Sequence, residues 1–115
     1  MVFNIKSIYI GAVDCGLAVT PDVVRQQISG GALFGLTAAL YGEITFRDGV
    51  VQQSNFHDYP LLRMSEAPTV SVHIIDSPEL PTGVGEPGVP PVAPALANAI
   101  FAATGQRLRS LPLKL

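Results

Sequence analysis

The chain has 115 residues, a formal net charge of −2, and only 14% charged residues against 48% hydrophobic ones. That length supports one small domain with one core, so residues 1–115 are read as a single unit. The charge balance excludes an electrostatic footprint for nucleic acid or an anionic membrane, and no apolar run reaches the roughly 20 residues needed to span a bilayer.

The N-terminus lacks the basic, apolar and small-residue order of a signal peptide. Met1 opens almost directly onto strand-like sequence, as a piece of a longer chain would. The alternation in Ile8 to Val13 predicts a strand. A helix follows over Pro21 to Leu40. Thr20 is suited to the N-cap, Pro21 to the first helical position and Asp22 to the positive end of the dipole. Val24, Ile28, Gly31, Gly35 and Ala39 fall on one side. Gly30, Gly31 and Gly35 interrupt this helix, each at a cost of about 1 kcal/mol relative to alanine. Close packing against another element explains them, and so does close approach of a bulky ligand.

"EITFRDGVVQQ" predicts a hairpin around Asp48-Gly49, a pair that suits a type I′ turn. "SNFHDYPLLRMSEAP" has no period and reads as a long connection draped over another surface. "TVSVHIID" alternates as a strand. A glycine loop follows, then a helix of small residues from Pro91 to Thr104, closed by Gly105. The tail "QRLRSLPLKL" reads as a short extended segment. Together these elements predict an α+β fold: a mixed β-sheet with two principal helices.

Few residues offer chemistry. Cys15 is a lone thiol, far in sequence from both histidines, and reads as buried structure. His73 lies within a strand, and His57 with Asp58 reads as a local or exposed pair. With two histidines and one cysteine there is no zinc-type ligand set, so no metal ligand is assigned. "GVGEPG" lacks the lysine and hydroxyl residue of a phosphate loop. Glu86 stands apart. Glycines let the backbone approach a ligand closely, and Pro87 restricts the conformation of Glu86. Apolar neighbours on such a turn would raise its pKa and suit it to general-base work. A carboxylate capping the following helix is the competing reading.

"TGVGEPGVPPVAPALANAIFAATGQRLRSLPL" resembles the C-terminal end of the molybdenum-binding subunit of the xanthine oxidase family. The nearest branch is the large (beta) subunit of isoquinoline 1-oxidoreductase and related membrane-associated aldehyde dehydrogenases. "VDCGLAVTP", "QQISGGALFGLTAALYGEITFRDGVV" and "SNFHDYPLLRMSEAP" resemble further family segments in the expected order. The resemblance runs from about Ile8 to Leu113. Thr20 stands where the family usually has asparagine, and Ser29 where it usually has glutamate.

The resemblance implies a molybdopterin cofactor in the full-length enzyme, which hydroxylates an N-heterocycle or aldehyde oxidatively using water. It implies that Glu86 is the catalytic base beside the molybdenum and that Gln27 contacts the pterin. The turn Gly83-Val84-Gly85 is assigned to the cofactor side with it. The remainder of the molybdenum subunit and an iron–sulfur small subunit are the implied partners, and exposed apolar faces suggest self-association. The chain alone is expected to hold no cofactor and to be inactive. Any export signal would lie upstream. A stand-alone, non-catalytic interaction or scaffold domain is the alternative.

Overall fold

In a computed structural model the described residues are 8–114. Strand β1 (Ile8–Val13) and strand β4 (Thr69–Ile74) pair in parallel, in register from Ile8 with Thr69 to Val13 with Ile74. Parallel neighbours need a long crossover. Here it comprises helix α1 (Pro21–Leu40), the hairpin of β2 (Phe46–Arg47) and β3 (Val50–Val51), and the irregular connection beyond it. Helix α2 (Val92–Thr104) completes the order. The α+β class with two helices holds. Parallel and antiparallel pairings fall in two separate two-stranded sheets instead of one. The hairpin is short, with two residues in each strand, and both strands are exposed.

The local signals act largely as expected. Asp48 and Gly49 have φ of 52° and 78°, the positive pair that a type I′ turn requires. Gly105 caps α2 in the left-handed conformation, and its N–H donates to the Phe101 carbonyl at 2.8 Å. Thr20 occupies the N-cap of α1, yet its side chain makes no capping hydrogen bond. Its carbonyl instead accepts from the N–H groups of Val23 and Val24. Pro91 is the N-cap of α2, so this helix begins one residue later than its sequence suggests.

Helix α1 carries the core. Val24, Ile28, Gly31, Ala32, Gly35, Leu36 and Ala39 are buried along one face, the spacing of an amphipathic helix. Near its N-terminus, Val24 and Ile28 pack with Cys15, Val13, Val72 and Ile74. Further along, Ala32 and Leu36 pack with Val92 and Leu96 of α2. The irregular connection does drape over α1: the Leu62 N–H donates to Thr37 Oγ1 at 3.3 Å, and the Tyr41 hydroxyl donates to the Glu66 carboxylate. The tail is tied down too, with Leu113 buried and its N–H donating to the Ala39 carbonyl at 2.7 Å.

Candidate functional site

The loop from β4 to α2 is laced to the end of β1. The Ile75 N–H donates to the Val13 carbonyl, the Leu17 N–H to the Glu79 carbonyl, and the Thr82 N–H to the Cys15 carbonyl, all within 2.8–2.9 Å. Gly16 makes this possible. Its φ is +67°, and a Cβ there would lie 2.2 Å from the Leu80 carbonyl oxygen. Only glycine tolerates both conditions.

Farther on, the loop presses against α1. A Cβ on Gly88 would lie 2.7 Å from the Ile28 carbonyl oxygen and 3.3 Å from the Gly31 Cα. One on Gly35 would lie 2.9 Å from the Val89 carbonyl oxygen. Gly31 and Gly35 therefore serve close packing against the loop and the start of α2. Gly30 does not: among the described residues nothing lies within 4 Å of where its Cβ would be.

This packing brings the two halves of the expected site together. A Cβ on Gly85 would lie 4.0 Å from Gln27 Oε1, while Gly83 opens on free space. Gln27, Gly83, Gly85 and Glu86 are all exposed. Val84 differs: its side chain packs against the Cys15, Val24 and Ile28 cluster.

Glu86 is no helix cap. Helix α2 starts at Val92 without a side-chain cap, and Glu86 serves the chain through its carbonyl, which accepts the Val89 N–H at 2.9 Å. Among the described residues no hydrogen bond or ion pair to its carboxylate is found. Nor do they form the apolar wall expected around it. Its neighbours are glycine and proline, and the nearest large aliphatic group in sequence, Val84, turns inward.

The other candidates resolve as structure. Cys15 is buried, with Sγ 3.8 Å from the Gly16 carbonyl oxygen. Ser71 Oγ and His73 Nε2 are 3.3 Å apart on an exposed strand position. Asp58 accepts from the N–H groups of Asn55 and Ser54 and from Ser54 Oγ, and lies 3.6 Å from His57 Nε2. The Asn55 N–H, then the Ser54 donors and His57, hold its carboxyl below the usual aspartate range. Among the described residues no group of three or more His, Cys, Asp or Glu could hold a metal, and no helix is long and apolar enough to cross a membrane.

Among the described residues nothing lies within 4 Å of where a Cβ would be on Gly83 or Gly30, and the exposed Gln27 amide offers donors and an acceptor near Gly85. Sequence reasoning named Gln27 and the glycine turn but missed the clamps at Gly16 and Gly88. Both are glycines beside a candidate turn, a signal that many loops share.

Residues 5–68 match the family of the molybdopterin cofactor-binding domain. The chain is 45% identical over 103 residues to the isoquinoline 1-oxidoreductase subunit beta of Brevundimonas diminuta, which covers 90% of this chain and 13% of that protein. It is 39% identical over 102 residues to the membrane-bound aldehyde dehydrogenase of Gluconacetobacter polyoxogenes, covering 89% and 13%. Among solved structures, quinoline 2-oxidoreductase from Pseudomonas putida 86 superposes with a TM-score of 0.78 at 22% identity, over 88% of this chain and 14% of that one. The chain thus belongs to the molybdopterin cofactor-binding domain family, as part of a xanthine oxidase-type molybdenum-binding subunit. It spans about an eighth of the length of these curated relatives.

Proposed function

We propose that this chain forms part of a molybdenum hydroxylase, contributing the general base Glu86 and the cofactor contact Gln27 to a site completed by the rest of the subunit. The observation that carries this reading is the meeting of the Gly85 turn with the Gln27 amide, with an uncapped, exposed Glu86 next to it. When bound, the molybdopterin cofactor supplies the redox centre for hydroxylating an electron-poor heterocycle or aldehyde with oxygen from water.

The chain's own residues do the rest. A Glu86 carboxylate oxygen takes up the proton released as oxygen is transferred, and Pro87 restrains the backbone that presents it. Gln27 hydrogen-bonds the pterin edge, and the bare backbone at Gly83 and Gly85 allows close approach. Docking of the remaining subunit would supply the water-excluding wall not found among the described residues, and an iron–sulfur small subunit would be the partner that accepts the electrons.

Glu86→Gln in a subunit carrying this segment tests the base. It keeps the size and much of the hydrogen bonding but cannot take the proton. Turnover is expected to fall by about 10²–10⁴-fold, with melting temperature and molybdenum content unchanged. Activity surviving within about tenfold, equivalent to about 1.4 kcal/mol of barrier, overturns the assignment. Gln27→Ala is expected to weaken cofactor loading by about 0.5–1.5 kcal/mol, the worth of one neutral hydrogen bond. Unchanged cofactor content would place Gln27 outside the contact. The 115-residue chain alone is expected to bind no molybdenum, and stoichiometric metal in elemental analysis would refute that.

A further inference from the structure

We infer that Val84 is a positioning residue, whose side chain pins the glycine turn to the core and thereby sets where Glu86 stands relative to Gln27. This rests on the reading of Glu86 as the base. Val84 carries the only side chain in Gly83-Val84-Gly85, and glycines on both sides leave the backbone freedom that any other residue would restrict. Its side chain packs against Cys15, Val24 and Ile28. Two of those, Val24 and Ile28, lie on α1 on either side of Gln27 in sequence.

The same core cluster therefore holds the turn from below and the helix that presents Gln27. Hydrogen bonds flank the anchor without replacing it. The Thr82 N–H is tied to the Cys15 carbonyl before the turn, and the Glu86 carbonyl to the Val89 N–H after it. Gly88 then meets the α1 backbone. Between Thr82 and Glu86, Val84 makes the apolar contact that couples the turn to the buried face of α1, beside the approach of Gly85 to Gln27. A misplacement of about 1 Å at a reacting group can cost about 10²-fold in rate, so a loosened turn is felt in catalysis before it is felt in folding.

Val84→Ala removes most of the anchor, and Val84→Ile restores an aliphatic one. In a subunit carrying this segment, Val84→Ala is expected to lower kcat by about 10- to 100-fold at unchanged KM and molybdenum content, and Val84→Ile to recover most of it. In the 115-residue chain, amide exchange of Val84→Ala should accelerate by about tenfold or more at the hydrogen-bonded Thr82 and Val89 amides that flank the turn, while the amides of α1 stay protected.

Uniform acceleration through α1 as well, with kcat per folded enzyme unchanged, would make Val84 an ordinary core residue and overturn the proposal. Loss of cofactor with exchange at the turn unchanged would make it a cofactor contact, which also overturns it. If Glu86→Gln proves active while the local exchange effect persists, the assignment of the base fails and the anchoring stands.

Discussion

Gly30 and Gly31 are adjacent in sequence and opposite in environment. A Cβ at Gly31 would sit 3.1 Å from the Gly88 Cα, whereas one at Gly30 would meet nothing within 4 Å. Gly30 therefore costs helix propensity with no compensating contact among the described residues. Gly30→Ala is expected to stabilise the isolated chain by about 1 kcal/mol, raising its melting temperature by about 4 °C. Gly88→Ala should do the opposite. Its Cβ would stand 2.7 Å from a backbone oxygen that cannot rotate away, and overpacking of this kind costs about 1–3 kcal/mol. Thermal melts of the two variants check both signs. A destabilising Gly30→Ala would mean that its open face is already in use within this chain.

At the C-terminal end of α1 the Tyr41 hydroxyl donates to Glu66 of the irregular connection, whose other oxygen accepts the Arg63 N–H at 2.8 Å. That bond first, then burial and the nearby negative charge, raises the pKa of Tyr41 above 10.0. The same bond, followed by the Arg63 N–H, lowers that of Glu66 below 4.5. The signs give two limbs. For Glu66 the folded value is depressed, so its contribution is present above the ordinary value and is lost as pH falls through the folded one. For Tyr41 the folded value is raised, so its contribution is present below 10.0 and is lost as pH rises through the folded one. Both groups are largely solvated, so the effects should be small. Melting temperatures measured from acid to alkaline pH should fall less steeply at both ends in Tyr41→Phe. Curves that stay parallel to the unaltered chain would show that the bond contributes nothing in solution.

Taken whole, the molecule exposes more surface than its size warrants. Its accessible surface is 8076 Å², against about 6,000 Å² for a compact monomer of this mass. Its radius of gyration is 16.3 Å, against about 13 Å for a compact chain of this length. Part of the exposed apolar surface gathers on one face. Ile8 and Ile10 of β1 are each about two-thirds exposed beside an apolar groove of about 230 Å³ that Leu36, Ala95 and Ala99 also line. A purely parallel sheet normally has both faces covered, and here it has two strands and a bare face. Such surface self-associates when nothing else covers it. Sedimentation of the isolated chain should show an average mass that grows with concentration, and Ile10→Glu should reduce the growth. A constant monomer mass would refute the expectation.

What the sequence determined by itself was local. The 3.6-residue spacing of Val24, Ile28, Gly31, Gly35 and Ala39 placed the buried face of α1, the alternation in Ile8–Val13 and Thr69–Ile74 placed the two long strands, and Asp48-Gly49 and Gly105 fixed a turn and a cap. These signals are legible because each is set by neighbours a few residues apart. Motif likeness singled out Glu86 and Gln27 but could not say how the chain brings their segments together. Tertiary structure decided that. Gly88 against Gly31, Gly16 against Leu80 and Val84 against the Cys15 cluster draw a loop and a helix together from distant parts of the chain. Close packing between distant segments leaves no periodic trace in either, because each glycine or valine is ordinary in its own local setting.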